Sequence, residues 1–492
     1  MNPKLKKLID DTPIYDPPIE DKEPGIVILK SEDVDEIAQA YEDDCPVKHK
    51  YNSFDGWSIF SKGKYQRVED PKEIRLWIRT FLAKCKLKKK KMLVPIKRKT
   101  NGFISDVLEA VASLPEVHLI PSQKAPCDLD NKLDPTTTIA AGNCLVNVQK
   151  YPYTIHNITN RYYTVNYLNY NYDSEAYSEL WTKFLIDITL GDLDLLMLLQ
   201  QWCGYLLLPT LKYQKFLLCV GDGANGKGVF FDTITSALGK QNVSNVPLAR
   251  FADKHTLYGT YAKLVNMSNE NTKDIESNTE SIIKEYVAGD KILWEQKYKN
   301  PFFAYPTAKL MFATNELPRI RDHTDGIWRR MILVPFKAKF SEDIQDRDLT
   351  KKLQQTTELS GILNWMLEGA RMLEDKGRFV EPKIVKDALN EYRDQSDSAR
   401  LFLLENIEVD TQNECKIPVT MLHKWYQEWC KNNGFQPKNN VHFGHSVNQL
   451  HRVQKARIWI NEKKINIYLG CRPQEGSDVE EKMSNWMSNW AN

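Results

Sequence analysis

Apolar and polar positions along this chain repeat with periods that change in a definite order. Short strand-like runs at Gly56–Phe60 and Tyr65–Val68 predict a hairpin, and helical spacing follows from Pro71 to Lys86 and again over residues 103–115. Residues 138–170 read as short strands and turns, among them Ile139–Val146 and Tyr162–Val165. A strongly amphipathic helical region spans Ser174 to Leu208, with aromatics at Tyr177, Trp181 and Phe184. It leads into the apolar run Lys215–Val220, a glycine-rich loop, and an amphipathic stretch from Val229 to Leu238. Short strands and helices then alternate to about Phe336, and residues 346–395 read as helices. From Ala399 to Tyr468 the order is helix, strand, helix, helix and a terminal hairpin, Arg457–Ile460 and Ile465–Tyr468 around the polar turn 461–464.

This order predicts a multidomain α/β chain. Its segments are a polar N-terminal extension (1–50), a mixed and helical domain (51–205), a nucleotide-binding core (206–345), a helical lid or linker (346–395), a winged-helix-like domain (396–471) and a disordered polar tail (472–492). Composition changes this little: 42% hydrophobic and 27% charged residues are ordinary for a soluble globular protein, and no apolar run approaches a bilayer span. The start of the chain is too polar for a secretory signal, so a cytoplasmic protein is expected. Nine cysteines without a C-x-x-C pair are expected to be reduced thiols and not a zinc site. With a net charge of +2, contact with nucleic acid has to come from local patches. One such patch is Lys84–Lys99, with nine Lys or Arg in sixteen residues; the alternative reading is a solvated helix end.

Candidate chemistry centres on Gly221, Asp222, Gly223, Ala224, Asn225, Gly226, Lys227, Gly228 and Val229. Strand, glycine-rich loop and helix start make the context of a phosphate-binding loop. Backbone amides can turn toward phosphate oxygens, the helix start adds positive potential, and Lys227 supplies a point charge for the β- and γ-phosphates of ATP. The last position of that pattern should carry a hydroxyl for Mg²⁺, and here it is Gly228. Downstream, the apolar run Ala262–Ser268 ends at Asn269 and Glu270, where a carboxylate at a strand tip can polarise an attacking water. A surface glutamate at a strand end is the plain alternative. A second apolar strand, Ala308–Thr314, ends at Asn315, able to hold water or γ-phosphate through a neutral hydrogen bond. Arg329 and Arg330 precede a third, Met331–Phe336, where an arginine can reach a neighbouring subunit's nucleotide. Lys227 to Glu270 is 43 residues, Glu270 to Asn315 is 45, and Asn315 to Arg330 is 15, a compact core.

In this order the motifs resemble the superfamily-3 helicases, and more narrowly their phage, plasmid and poxvirus primase–helicase branch. The resemblance extends upstream through Ala141–Asn143, Trp181 and Gln200–Tyr205, and downstream to Trp425, Tyr426, Trp429 and the terminal hairpin, so about residues 50–470 are covered. It implies an AAA+ ATPase core and a homohexameric ring moving 3′ to 5′ on single-stranded or forked DNA. Such a protein serves replication of a mobile element in a host cytoplasm, with ATP and Mg²⁺ and no membrane partner. It implies Arg330 as the arginine acting in trans, with Arg329 its neighbour. A channel hairpin before the sensor strand would be carried here by Lys297, Tyr298 and Lys299, two cations around an aromatic; an exposed turn is the alternative. Lys284 is a weaker channel candidate.

Two departures stand out: Gly228 in place of the hydroxyl, and Asn269 in place of an aspartate, which would leave Mg²⁺ to phosphate oxygens, waters and Glu270. Residues 1–140 offer no convincing pair of metal-binding carboxylates for a primase, so priming, if needed, is expected from a separate primase or polymerase or from a missing upstream part. In the C-terminal domain His451, Arg452, Lys455, Arg457, Lys463 and Lys464 form a second DNA candidate, with protein docking as the alternative. A competing overall reading is an ATP-dependent origin-binding or loading protein that remodels DNA without unwinding it.

Overall fold

The structure, a computed structural model, describes residues 25–89, 92–120, 123–270, 277–297, 300–318, 320, 325–343, 345–410, 412, 415–435, 437–448, 450, 453–460 and 463–490. The chain is multidomain and mixed α/β. Its first unit contains β1 (Val27–Leu29), α1 (Val34–Asp44), β2 (Lys48–Asn52), β3 (Gly56–Ser61), β4 (Lys64–Arg67), α2 (Lys72–Lys84), β5 (Cys85–Lys89), β6 (Met92–Pro95) and α3 (Asn101–Ser113). The hairpin expected after residue 56 is there, extended by β2 into a meander, while β1 runs parallel to β5 and β6 folds back on it.

Two expectations are corrected in this unit. From residue 25 on, the chain before residue 50 is built into the fold. Asp33 caps α1 by accepting from the amides of Asp35 and Glu36, and Leu29, Ile37, Ala38 and Tyr41 are buried in one core with α2 and α3. Polar residues in that core satisfy each other: Glu42 Oε2 lies 2.6 Å from His49 Nδ1, and both side chains are buried. The basic stretch, in turn, is not a helix end. α2 stops at Lys84, and Cys85 and Leu87 alternate inward along β5, which makes the stretch a β-ribbon.

Short strands β7 (Cys127–Asp128), β8 (Thr138–Ala140), β9 (Leu145–Asn147), β10 (Thr154–His156) and β11 (Tyr162–Tyr163) lead to α4 (Glu179–Thr189) and α5 (Leu193–Leu207). The single helical region expected over 174–208 is thus divided, because Leu190 and Gly191 take left-handed backbone angles (φ 54° and 76°) and Asp192 caps a new helix. α5 is apolar almost all round and is correspondingly enclosed.

A five-stranded, all-parallel sheet follows. Its elements are β12 (Phe216–Val220), α6 (Lys227–Leu238), β13 (Val243–Ser244), α7 (Lys254–Leu257), β14 (Val265–Glu270), α8 (Ser277–Ala288), the β15 (Ile292–Trp294)–β16 (Phe302–Ala304) hairpin, β17 (Lys309–Thr314), α9 (Asp325–Trp328) and β18 (Met331–Pro335). The strand order is β13-β14-β17-β12-β18, with every residue of β17 buried. α10 (Leu349–Leu353), α11 (Thr356–Lys376) and α12 (Lys383–Ser396) come next. Residues 346–395, expected as a lid or linker, are core elements: one hydrophobic cluster runs from Ile139 to Val385 and joins α4, α5, the sheet and α11. α5 and α11 touch backbone to backbone, since a Cβ on Gly369 would lie 1.9 Å from the Gln200 carbonyl oxygen and one on Gly204 2.1 Å from the Ala370 nitrogen.

The last unit has α13 (Ser398–Asn406), β19 (Ile407–Val409), β20 (Ile417–Pro418), α14 (Val419–Asn432), α15 (Asn440–Asn448), β21 (Gln454–Ile460), β22 (Lys463–Leu469), β23 (Cys471–Pro473) and α16 (Asp478–Trp490). Its terminal hairpin is longer than expected, with Ile460 opposite Lys463. The tail expected to be disordered is also corrected. β23 pairs with β19, and α16 buries Val479 and Met483, one turn apart, in the core of this unit. Among the described residues no helix is long and apolar enough to cross a membrane.

Candidate nucleotide site

The apolar strand β12 delivers the loop 221–226 to the start of α6. Two positions need special backbone: Gly226 has φ 84°, and a Cβ there would lie 2.6 Å from Ile188 Cγ2, while Ala224 takes φ 58° despite its side chain. The loop is pinned to its surroundings. The Gly221 amide donates to the Thr314 carbonyl (3.3 Å), and the Phe340 amide to that of Ala224 (2.9 Å). The buried Asn225 amide donates to the carbonyls of Asp222 and Phe336. Asn225 was expected among the phosphate contacts; its side chain braces the loop.

Lys227 is buried, and its ammonium donates to the carbonyl oxygens of Gly221 and Asp222 (the latter at 3.1 Å) and to Asn225 Oδ1 at 3.2 Å. Burial pulls its pKa below the ordinary lysine value, opposed by nearby Cys219 and Asp222. A desolvated cation held only by neutral groups at a helix start suits a polyphosphate. At Gly228 an added Cβ would meet no heavy atom within 4 Å, so the site has room for the missing hydroxyl but does not supply it.

Register gathers the remaining groups. Glu270, the last residue of β14, is level with Thr314 on β17, and Thr314 is level with Val220 on β12. With strands ~4.8 Å apart, the Glu270 backbone stands two strands from the loop, on the same C-terminal rim where ligands of parallel sheets collect. Asn315 follows on that rim and is exposed; Thr314 Oγ1 donates to the Glu316 carbonyl and fixes the turn. The structure therefore brings Lys227, Glu270 and Asn315 to one edge.

Arg329 and Arg330 do not join them. Met331 pairs with Phe216 and Pro335 with Val220, so both arginines lie at the opposite edge, ~13 Å of strand away. Arg329 is exposed, whereas half-buried Arg330 donates from Nη1 to the Gly326 carbonyl at 2.7 Å. Burial, reinforced by Arg329 and opposed by Asp290, lowers the Arg330 pKa. Neither residue can serve the loop of its own chain.

Of the expected DNA contacts, Lys297 is exposed in the turn after β15, while Tyr298 and Lys299 lie outside the described residues. Lys284 is half-buried on α8. The base of the β15–β16 hairpin is held by the first unit: Lys124 Nζ donates to the Phe303 carbonyl (3.1 Å) and lies over the rings of Phe54 and Phe302. In the last unit Lys455 and Arg457 are exposed on β21, and Arg457 Nε donates to Asn466 across the hairpin. Lys464 Nζ lies 5.9 Å from the ring centre of Trp459. Lys463 begins β22, and His451 and Arg452 lie outside the described residues. Trp459, 70% exposed between these cations, was missed; its place in the alternation Lys455, Arg457, Trp459 was the available signal.

Comparison with known proteins places these parts in context. Residues 219–330 match a family of unknown function (DUF5906), and residues 395–492 match the Poxvirus D5 protein-like family. The chain is 27% identical over 255 residues to "Putative helicase L207/L206" of Acanthamoeba polyphaga mimivirus, covering 46% of this chain and 25% of that protein. It is 26% identical over 198 residues to "Putative helicase 121R" of Invertebrate iridescent virus 3, covering 36% of this chain and 21% of that protein. The matched regions thus span a quarter or less of these relatives' own length. Among solved structures, the apo NrS-1 C terminal region is similar with a TM-score of 0.48 and 12% identity, over 86% of this chain and 95% of that one. Its C-terminal segment is thus similar to the Poxvirus D5 protein-like family, and the relatives it matches are viral proteins named as helicases.

Proposed function

We propose that this protein is an ATP-driven DNA helicase or translocase serving viral replication in the host cytoplasm, with an AAA+ core of superfamily-3 type. The observation that carries this reading is the division of its chemistry between two edges of one sheet. Lys227, Glu270 and Asn315 share the rim of the phosphate-binding loop, and Arg329 and Arg330 occupy the far edge. An arginine so placed is useful to a neighbouring copy, which favours a homo-oligomeric ring, taken here as a hexamer moving 3′ to 5′ on single-stranded DNA. The order β13-β14-β17-β12-β18, with the loop strand between β17 and β18, supports the AAA+ assignment.

In this mechanism the loop amides and Lys227 hold the β- and γ-phosphates of ATP, the lysine exchanging the carbonyls of Gly221 and Asp222 for phosphate oxygens. The residues present fit a polyphosphate; for Mg²⁺ they offer Glu270 at the rim and no hydroxyl at position 228. When bound, Mg²⁺ supplies neutralisation of phosphate charge. Glu270 takes the proton of the attacking water, Asn315 orients that water, and Arg329 or Arg330 of the adjacent copy stabilises the charge that develops. Lys297 with Tyr298 and Lys299, and the face carrying Lys455, Arg457, Trp459 and Lys464, contact DNA, with Lys284 and Arg452 in support.

Two measurements on one preparation test the reading: ATP hydrolysis with and without single-stranded DNA, and strand displacement on a forked substrate. DNA-stimulated hydrolysis with unwinding, both lost in Lys227→Ala, is expected. Stimulated hydrolysis without displacement would instead identify a loading protein, and turnover that survives Lys227→Ala would overturn the site.

A further inference from the structure

The strongest concentration of charge in the molecule is used by none of the above. Residues 84–99 hold nine cations and no carboxylate, in a chain whose net charge is only +2. Lys84 pairs with Asp44, and Arg98 lies over the Phe103 ring. Lys86, Lys88, Lys89 and Lys97 have no carboxylate partner among the described residues. Surface lysines are normally interspersed with acids, so a run of uncompensated ammonium groups raises the energy of the free protein and favours a polyanion.

Shape narrows the choice of partner. Cys85, Leu87 and Ile96 are buried and root the β5–β6 hairpin in the core of the first unit, so its charges stand on a fixed support. β1 pairs only with residues 85–87. Beyond it, Lys88 opposite Leu93 and Lys89 opposite Met92 project as a two-stranded ribbon. Lys86 and Lys88, two residues apart on β5, stand ~6.6 Å apart. That equals the axial advance of about two phosphates along one strand of a duplex. A two-stranded ribbon also fits a major groove ~12 Å wide. Met92 and Leu93, 71% and 43% exposed, give the ribbon apolar side chains for a groove wall. Lipid headgroups have no such linear spacing to match, and the apolar faces of the flanking helices α2 and α3 are buried in the core of the first unit.

We propose that the β5–β6 ribbon is a sequence-independent docking site for the phosphate backbone of duplex nucleic acid, through Lys86, Lys88 and Lys89. This rests on the reading that the protein works on DNA, and it adds a duplex contact remote from the nucleotide site. Counterion release gives the test its readout, since each phosphate contact contributes about 0.9 to the slope of log affinity against log salt.

The experiment uses the full chain with Lys86, Lys88 and Lys89 all changed to Gln, beside the same three changed to Arg. Affinity for a blunt duplex is measured across a salt series, with single-stranded DNA and anionic phospholipid vesicles as parallel probes. The Gln variant should bind duplex about tenfold or more weakly at 0.1 M salt, with a slope shallower by about 2–3. Hydrolysis of ATP without DNA should be unchanged, and the Arg variant should restore both affinity and slope. An unchanged duplex slope overturns the proposal, as does a loss confined to single strands or to vesicles. Lys227→Ala should still bind duplex, so failure of the ATPase reading leaves this outcome separately readable.

Discussion

Gly228 is open to a side chain: nothing within 4 Å would obstruct a Cβ, and the residue is exposed at the first turn of α6. Gly228→Ser should therefore fold with an unchanged melting temperature and lower the Mg²⁺ concentration needed for half-maximal turnover. An unchanged Mg²⁺ requirement would mean that the site already compensates for the hydroxyl. Lys309 poses the opposite problem. Its amino group is fully buried at the start of β17, 5.0 Å from the Tyr205 ring centre, with no hydrogen-bond partner among the described residues, and burial drives its pKa well below the ordinary value. In the unfolded chain it titrates near its reference value of about 10.4. Between the folded and unfolded pKa values the unfolded chain binds the extra proton, so this group makes stability rise with pH across that window. Lys309→Met should raise stability at pH 7 and flatten the rise between pH 7 and 9, read as urea midpoints of variant and parent. Equal slopes in the two proteins would contradict the burial of a neutral amine.

Among elements, the contact of α5 with α11 has the least tolerance. Gly369→Ala puts a methyl group where the Gln200 carbonyl already stands, and overpacking of this kind costs about 1–3 kcal/mol. A urea midpoint that stays put would show that the two helices can separate cheaply. This contact was not legible beforehand, because a glycine inside a helix reads the same whether it faces solvent or another backbone. The glycine-rich loop between β12 and α6 and the tips of β14 and β17 were legible as elements, since their apolar runs are long and end in Asn269–Glu270 and Asn315. The first strand and helix were hidden by composition: α1 buries only Ile37, Ala38 and Tyr41 beside Glu42, whose carboxyl group is hydrogen-bonded to His49. α16 was hidden likewise, because Val479 and Met483, which it buries, lie in a tail that reads as polar. The start of the basic ribbon was read as the end of a helix running to Lys86, because its inward residues, Cys85 and Leu87, continue the apolar stripe of α2.

At the scale of the whole molecule, parallel strands separate the parts of the proposed active site. One end of β12 carries the loop and the other pairs beside Arg330, whose carbonyl accepts from the Phe216 amide at 2.8 Å. No side chain spans that length, so in the proposed mechanism these arginines act on the nucleotide of a second copy. The sequence spacing from Lys227 to Arg330 suggested compactness, yet the fold turns nearness in the chain into distance across the sheet. Only the strand register reveals this. The first unit is tied to the same machinery, because Tyr261 donates to Asp55 (2.8 Å) and Arg67, paired with Asp55, lies over the Tyr261 ring.

The most direct test of a site shared between copies is subunit mixing. Lys227→Ala protein and protein carrying both Arg329→Ala and Arg330→Ala should each lack DNA-stimulated ATP hydrolysis. Mixed in equal amounts, they should regain a fraction of it, because the intact loop of one then meets the intact arginines of the other. Two inactive proteins that stay inactive when mixed, despite assembling together, would contradict the account, as would full turnover by the arginine variant alone.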